Sequence, residues 1–216
     1  SHDFASTTQA RWMRAYAKHI DKLWIFWEGS FVSRKLRDQA GKVIEPIDED
    51  GNWTPAVKTA MGQTLRAWLD FAASEGFGLE HWAILPDDEP RSGMDWKRAP
   101  GPEIGRAVEA YKLTRAAEPG LEIQVTLTDY ALPEDVEAML PHVDVVLPVF
   151  PYRDHLVQWA PPKYNPEATF NKTIAPMLRK YQRDGLKVWS YKVSRGIKDD
   201  PLSEELMYPV QAVAQG

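Results

Sequence analysis

Short apolar segments alternate with amphipathic helical segments along most of the chain, and this alternation restricts the fold more than any other feature. Strands are predicted near residues 23–27, 81–86, 121–128, 143–150 and 186–193. Helices are predicted at 5–20, 54–76, about 102–117, about 133–140 and about 167–183, with a last helix near Ser203. Strand–helix alternation gives right-handed βαβ units, and the strands are apolar almost throughout, so the sequence predicts an α/β fold with a buried parallel sheet.

The second helix has the clearest boundaries. Thr54 is placed to cap its first turn, Pro55 suits its first position and Gly76 closes it. Its expected apolar face, at helical spacing, consists of Ala60, Leu65, Trp68, Leu69 and Ala72. The polar stretch before it, residues 33–53, has two turn signals, so it is either a β-hairpin or a long loop.

Loop lengths indicate where a functional site would lie. The long segments, at 28–53, 87–101, 129–132, 151–166 and 194–202, all follow predicted strands. The turns that precede the strands are short. In parallel α/β barrels the site is built from the loops at the carboxyl ends of the strands. The lengths therefore predict a site at that end of the sheet.

Composition excludes several function classes. The chain has no cysteine, so it has no disulfide, thiolate nucleophile or Cys-based zinc site. Its net charge is −5 and its Lys and Arg residues are spread along the sequence, so we expect no nucleic-acid partner. No apolar run is long enough for a membrane helix, and no membrane partner is expected. The five histidines have no metal-ligand spacing, so we predict neither a metal nor a cofactor.

Three consecutive acids, Asp87, Asp88 and Glu89, follow the apolar run of the 81–86 strand and stop at Pro90. Adjacent carboxylates cannot all ionise cheaply in a partly buried site, so one is pushed toward its protonated form. A protonated acid beside a carboxylate is what cleavage of a glycosidic bond requires.

Two other interpretations of the acids stay open. They can form a solvated loop that caps a helix or pairs with Arg91 or Arg98. They can also hold magnesium or calcium. The acidic turn at 48–52, another candidate, does not fit the calcium-loop pattern.

Aromatic, acidic and basic residues lie at or after the ends of the other predicted strands, and two of them, Trp189 and Tyr191, lie within the last one. These residues are Trp27, Glu28, Asp129, Tyr130, Phe150, Tyr152, Arg153, Asp154, Trp189 and Tyr191. Brought to one face of the sheet, such residues would form a sugar-binding site, because an aromatic face packs well against the C–H face of a sugar ring. The alternative for each aromatic residue is packing in the core.

Three ordered motifs resemble glycoside hydrolase family 123 and its uncharacterised relatives. They are "LPDDEP" at 85–90, "VDVVLPVFPY" at 143–152 and "GLKVWSYKV" at 185–193. The resemblance covers roughly residues 50–213 and includes the "DGNW" turn before the long helix. The family implies a TIM-type (β/α) barrel. It also implies a β-N-acetylgalactosaminidase with a retaining, substrate-assisted mechanism, in which the 2-acetamido oxygen of the sugar attacks the anomeric carbon.

Carried over to this chain, the resemblance gives Asp88 the role of orienting and stabilising the acetamido group. It makes Glu89 the general acid and then the base. The partner is a glycan substrate, and the resemblance favours a secreted or periplasmic protein. We expect residues 1–216 to form one barrel domain or a fragment of it, with about five strands. A further chain segment or an oligomer would then cover the open sheet edges.

Two other functions are compatible with the sequence. An ordinary retaining barrel glycosidase would use Glu89 as acid/base and a protein carboxylate as nucleophile, but no later strand end carries a Glu. A non-catalytic carbohydrate-binding barrel fragment needs neither acid.

Overall fold

The chain forms two compact units, one of Ser1–Asp88 and Gly105–Gln124 and one of Glu89–Ile104 and Val125–Gly216. This computed structural model describes residues 8–16, 19, 23–26, 43, 45–87, 90, 102–127, 131–148 and 170–189.

Five helices and five strands lie within the described residues. The helices are α1 (Thr8–Tyr16), α2 (Pro55–Ser74), α3 (Pro102–Ala117), α4 (Pro133–Met139) and α5 (Ala175–Arg183). The strands are β1 (Leu23–Phe26), β2 (Trp82–Leu85), β3 (Glu122–Leu127), β4 (Val145–Pro148) and β5 (Lys187–Val188). Short 3₁₀ turns at Leu79–His81 and Leu140–His142 precede β2 and β4, and a π-helical turn at Phe170–Ile174 precedes α5.

Neighbouring strands within each unit follow chain order, β1 to β3 in the first and β3 to β5 in the second. β1 pairs with β2 in parallel, β2 with β3 in parallel, and β4 with β5 in parallel. The predicted α/β fold with parallel strands is therefore confirmed. Each parallel connection contains a helix, as the sequence alternation predicts.

The first unit has its core between α2, α3 and the strands. α2 buries one stripe of side chains, Val57, Met61, Leu65, Leu69 and Ala72, which is shifted from the predicted face. Ala60 and Trp68, both predicted on that face, are only half-buried. A salt bridge from Lys58 Nζ to Glu109 Oε1, 2.9 Å long, joins α2 to α3. Arg66 also donates to the Ala117 carbonyl, which lies at the end of α3.

The stretch before α2 contains a small hairpin turn. Ile47 and Trp53 form an antiparallel bridge across residues 48–52. Asp48 Oδ1 closes the turn by accepting hydrogen bonds from the backbone N–H groups of Asp50 (3.1 Å) and Asn52 (2.8 Å). The sequence allowed a β-hairpin or a long loop in this stretch. Its described part forms a hairpin.

The second unit buries the apolar side of α4 and α5 with β4. Its most enclosed residues include Val136, Met139, Val145, Val146, Ile174 and Leu178. The described part of the predicted helix at about 167–183 is helical throughout: the π-helical turn Phe170–Ile174 runs directly into α5, which has Pro176 in its first turn, where the missing N–H is tolerated. Residues 167–169 and the predicted helix near Ser203 lie outside the described residues.

Candidate functional site

The carboxyl end of β2 brings the chain directly from the core to the acidic triplet. All four residues of β2 are buried, and Pro86 after them is buried too. Asp87 is half-buried, so burial decreases at the first acid. Pro86 has no N–H to continue a strand ladder, which helps the chain to leave the sheet at this point. Asp88 and Glu89 lie outside the described residues, and Pro90 beyond them is buried.

Aromatic packing fixes the opposite end of β2. Trp82, 3% exposed, packs edge-on against Trp68 of α2 with 6.0 Å between ring centroids. Its Nε1 donates to the Phe77 carbonyl oxygen at 3.4 Å, and its ring lies 6.0 Å from that of Phe77. These contacts set the position of β2 along its axis. The point at which the chain reaches Asp87 is thereby set as well.

The register of β1 and β2 places their carboxyl ends at the same level. Phe26, the last residue of β1, pairs with Leu85, the last residue of β2. The predicted site residues Trp27 and Glu28 follow Phe26 in sequence and lie outside the described residues. The two neighbouring strands therefore end side by side. A group of predicted site residues follows each of them in the sequence.

The carboxyl end of β3 is followed by a buried carboxylate that sequence reasoning did not single out. Asp135 is 0% exposed, and its Oδ2 accepts a hydrogen bond from the Leu132 N–H at 3.4 Å, at the start of α4. An acid at the third helical position stabilises the free N–H groups of a helix start. The signal in the sequence was an acid three residues after Leu132, with Pro133 marking the start of the helix. Asp129 and Tyr130 lie between β3 and this cap, outside the described residues.

Trp189 is the one predicted site residue whose side chain the structure describes. It follows β5, and its backbone N–H donates to the Val146 carbonyl at 2.9 Å. Its side chain is 41% exposed, in contrast to Trp53 and Trp82, which are buried. A large indole at the carboxyl end of a parallel strand, partly open to water, is available for stacking on a ligand. Tyr152, Arg153 and Tyr191 lie outside the described residues.

Two findings concern metals and membranes. Within the described ranges, no group of three or more His, Asp or Glu side chains is arranged to hold a metal ion. None of the helices in the described part of the chain has both the length and the apolar character needed to cross a bilayer.

Comparison with known proteins gives no assignment. A scan against protein-family models finds no match for this chain. A search of curated proteins also finds no match.

Proposed function

We propose that this chain is a glycoside hydrolase that acts on N-acetyl-β-galactosaminides by a retaining, substrate-assisted mechanism. One observation carries the proposal: the acidic triplet begins where β2, a fully buried parallel strand, ends. In parallel α/β sheets, ligands bind outside the carboxyl ends of the strands. A solvated loop could carry acids anywhere on the surface, whereas these acids follow a strand that is fixed along its axis.

The adjacent acids divide the chemistry between them in this proposal. Asp88 orients the 2-acetamido group and stabilises the positive charge that develops on it as its oxygen attacks the anomeric carbon. Glu89 donates a proton to the leaving oxygen, and then removes a proton from the water that opens the oxazolinium ring. A carboxylate next to a carboxylic acid raises the pKa of the acid, which suits a proton donor near neutral pH.

The proposal also covers the finer architecture and the sugar contacts. The parallel strands would belong to a TIM-type (β/α) barrel, and the sugar would lie at its carboxyl-end face. The side chains proposed to contact it are Trp27, Glu28, Asp129, Tyr130, Tyr152, Arg153, Trp189 and Tyr191. What supports this is that most of them follow or end a predicted strand, and that Trp189, directly after β5, is exposed.

The experiment compares two classes of N-acetyl-β-galactosaminide. Wild-type protein should release the aglycone from an activated aryl glycoside and from an alkyl glycoside with a poor leaving group. Glu89→Gln should lower kcat/KM on the poor leaving group by roughly 10²–10⁴-fold, because that group needs a proton, and much less on the activated one. Asp87→Asn is the matched control in the same triplet and should change both rates by less than tenfold.

Three results would contradict the proposal. The first is absence of hydrolysis by wild-type protein, and the second is an equal loss on both substrates with Glu89→Gln. The third is a covalent adduct on a protein carboxylate after incubation with a 2-fluoro glycoside. That adduct would instead support an ordinary retaining glycosidase with a protein nucleophile.

A further inference from the structure

The exposed face of α5 and the turn before it carries a concentration of positive charge. Lys172, Arg179, Lys180 and Arg183 are all exposed. Residues 170–183 contain no Asp or Glu, although the chain as a whole has a net charge of −5. The first acid after them is Asp184, which caps the end of α5.

Helical spacing brings these cations together although they are spread in the sequence. Arg179 and Arg183 are four residues apart, which places them one above the other, about 6 Å apart along the axis of α5. Lys180 lies next to Arg179 on the same exposed side. Lys172 adds a further positive charge in the π-helical turn that leads into α5.

These four side chains form no ion pair with any other described residue. Three cations of the first unit do form ion pairs: Arg14, Lys58 and Arg66 each pair with a glutamate. Unpaired cations on one face repel one another, and their positive potential attracts an anionic ligand. Ion pairs within the described residues therefore do not account for the positive charge on this face of α5.

The apolar side of α5 is already occupied. Ile174, Ala175 and Leu178 are between 2% and 8% exposed, so they are packed into the second unit. A basic amphipathic helix that inserts into a membrane surface needs its apolar side free. α5 can therefore attract a partner through its charged side only.

We propose that the basic face of α5, formed by Lys172, Arg179, Lys180 and Arg183, binds an anionic polysaccharide that carries sulfate or carboxylate groups. The choice of a carbohydrate as the polyanion rests on the proposed glycosidase function. The positive charge of the face is independent of that function. Two of the four cations are arginines, and guanidinium groups form paired hydrogen bonds with planar carboxylates and with oxyanions.

Nucleic acid fits the same face less well. Proteins that bind single strands present exposed aromatic rings on which bases stack. The one aromatic residue of α5, Tyr181, is half-buried, and Lys180 Nζ lies 5.9 Å from the centre of its ring. A duplex binder that contacts about 6–10 phosphates uses more cations than this face offers.

The basic face ends away from Trp189. Arg183 ends α5 and is followed by the short turn into the amino end of β5, whereas Trp189 lies after its carboxyl end. A polysaccharide held on α5 would be retained on the same unit as Trp189, which would raise its local concentration there.

The test measures binding of the full chain to fluorescently labelled dextran sulfate, polygalacturonate and uncharged dextran, at several salt concentrations. One variant combines Arg179→Gln and Arg183→Gln, which keeps helix propensity. The matched control combines Lys58→Gln and Lys112→Gln, which removes the same charge from the first unit. We expect both charged polymers, or one of them, to bind wild type, and uncharged dextran not to bind. The α5 variant should lose at least tenfold in affinity at low salt, and its salt slope should fall by about one per removed cation.

Equal losses in the two double variants would overturn the proposal, as would absence of binding to both charged polymers. Tighter binding of a 20-base-pair DNA duplex than of either polysaccharide would overturn the choice of ligand. Glu89→Gln should leave binding unchanged. The assay does not use hydrolysis. A chain that binds the charged polymers but hydrolyses no substrate would therefore contradict the glycosidase proposal and leave this one standing.

Discussion

Trp53 illustrates at the residue scale how one side chain connects separate pieces of backbone. It is 6% exposed and lies in a cluster with Val57, Met61 and Ala110. Its Nε1 donates to the Arg106 carbonyl at 3.1 Å, while Arg106 Nη1 donates to the Gly51 carbonyl at 2.8 Å. The Arg106 guanidinium carbon lies 5.9 Å from the centre of the indole ring. The hairpin turn is thus bound to α3 through three different interactions.

Replacement of Trp53 should reveal these contributions. Trp53→Phe removes the hydrogen bond and part of the ring, and we expect a loss of about 1–2 kcal/mol in the free energy of unfolding. Trp53→Ala should cost about 3–5 kcal/mol, because it leaves a cavity. Urea denaturation measures both. Trp189→Phe, at an exposed position, is the control and should stay within about 0.5 kcal/mol of wild type. A loss as large at Trp189 as at Trp53 would contradict this explanation.

Single residues also show what the sequence could and could not predict about the site. The acidic triplet could be recognised because its chemistry and its position after an apolar run are both written in the sequence. Asp135 escaped notice because a buried carboxylate is identified by its surroundings, which depend on how α4 packs. The shared positive face of α5 was missed for a similar reason, since it exists only once the helix has formed.

At the scale of secondary-structure elements, the end of α2 is paired with a residue from another helix. Glu75 follows α2, where a negative charge meets the negative end of the helix dipole. Arg14 of α1 donates to both Glu75 oxygens, from Nε at 2.6 Å and from Nη2 at 2.5 Å. These hydrogen bonds, together with the attraction of the guanidinium charge, lower the pKa of Glu75 below its usual 4.5. The same bonds raise the pKa of Arg14.

This pair should make stability depend on pH in one direction. Because the pKa of Glu75 is lower in the folded than in the unfolded chain, the pair stabilises the fold above about pH 4.5. That stabilisation is lost as the pH falls through the folded-state pKa. Glu75→Gln should therefore have a lower urea midpoint than wild type at pH 7, and the difference should shrink below pH 4.5. Glu109→Gln is the control, because the side chain of Glu109, which pairs with Lys58, is more exposed than that of Glu75. A difference that persists unchanged at low pH would contradict the assignment.

Two glycines, one inside α2 and one just after it, should respond in opposite ways to replacement by alanine. Gly62 lies inside the helix, and an added Cβ would meet nothing within 4 Å. Gly62→Ala should thus raise the free energy of unfolding by about 0.5–1 kcal/mol. Gly76 also has open space, but its φ of +91° disfavours any other residue. Gly76→Ala should lower that free energy by about 1 kcal/mol. Thermal unfolding compares the two, and changes of the same sign would refute the argument.

Prediction of the elements from sequence worked best where local signals agree. The predicted bounds of α3 match the observed Pro102–Ala117, because an initial proline and a continuous helical pattern define it. One strand with both predicted ends described is shorter than predicted: β2 covers Trp82–Leu85, whereas the prediction spanned 81–86. An apolar pattern marks which residues can be buried, but the number that pair depends on the neighbouring strand.

At the scale of the whole molecule, the proposed function has a thermodynamic consequence. A ligand that binds only the folded state stabilises it, by about 2.7 kcal/mol at a concentration of 100 times its Kd. A thiazoline that mimics the cyclised acetamido intermediate should thus raise the Tm of the wild-type chain by about 5–10 °C. The same ligand should raise the Tm of Asp88→Asn much less, because the positively charged ring of the ligand no longer meets a carboxylate. Differential scanning calorimetry is the measurement, and an equal Tm shift in both proteins would remove Asp88 from its proposed role.

The whole chain also shows the limit of prediction from sequence. The parallel arrangement within each unit follows from strand–helix alternation, since no shorter connection can join parallel strands. The division into two compact units has no comparable local signal, because it depends on how contacts are distributed over distant parts of the chain.

The difference in exposure between Trp189 and the buried Trp53 and Trp82 gives the protein an internal optical reporter. An indole in contact with water emits at longer wavelength and is accessible to a dissolved quencher such as iodide, whereas an enclosed indole is protected from both effects. A sugar ring stacked on Trp189 would shift this emission to shorter wavelength and reduce its quenching. The spectrum of Trp189→Phe, subtracted from that of wild type, isolates this signal, so that occupancy of the carboxyl end of β5 can be followed by light alone.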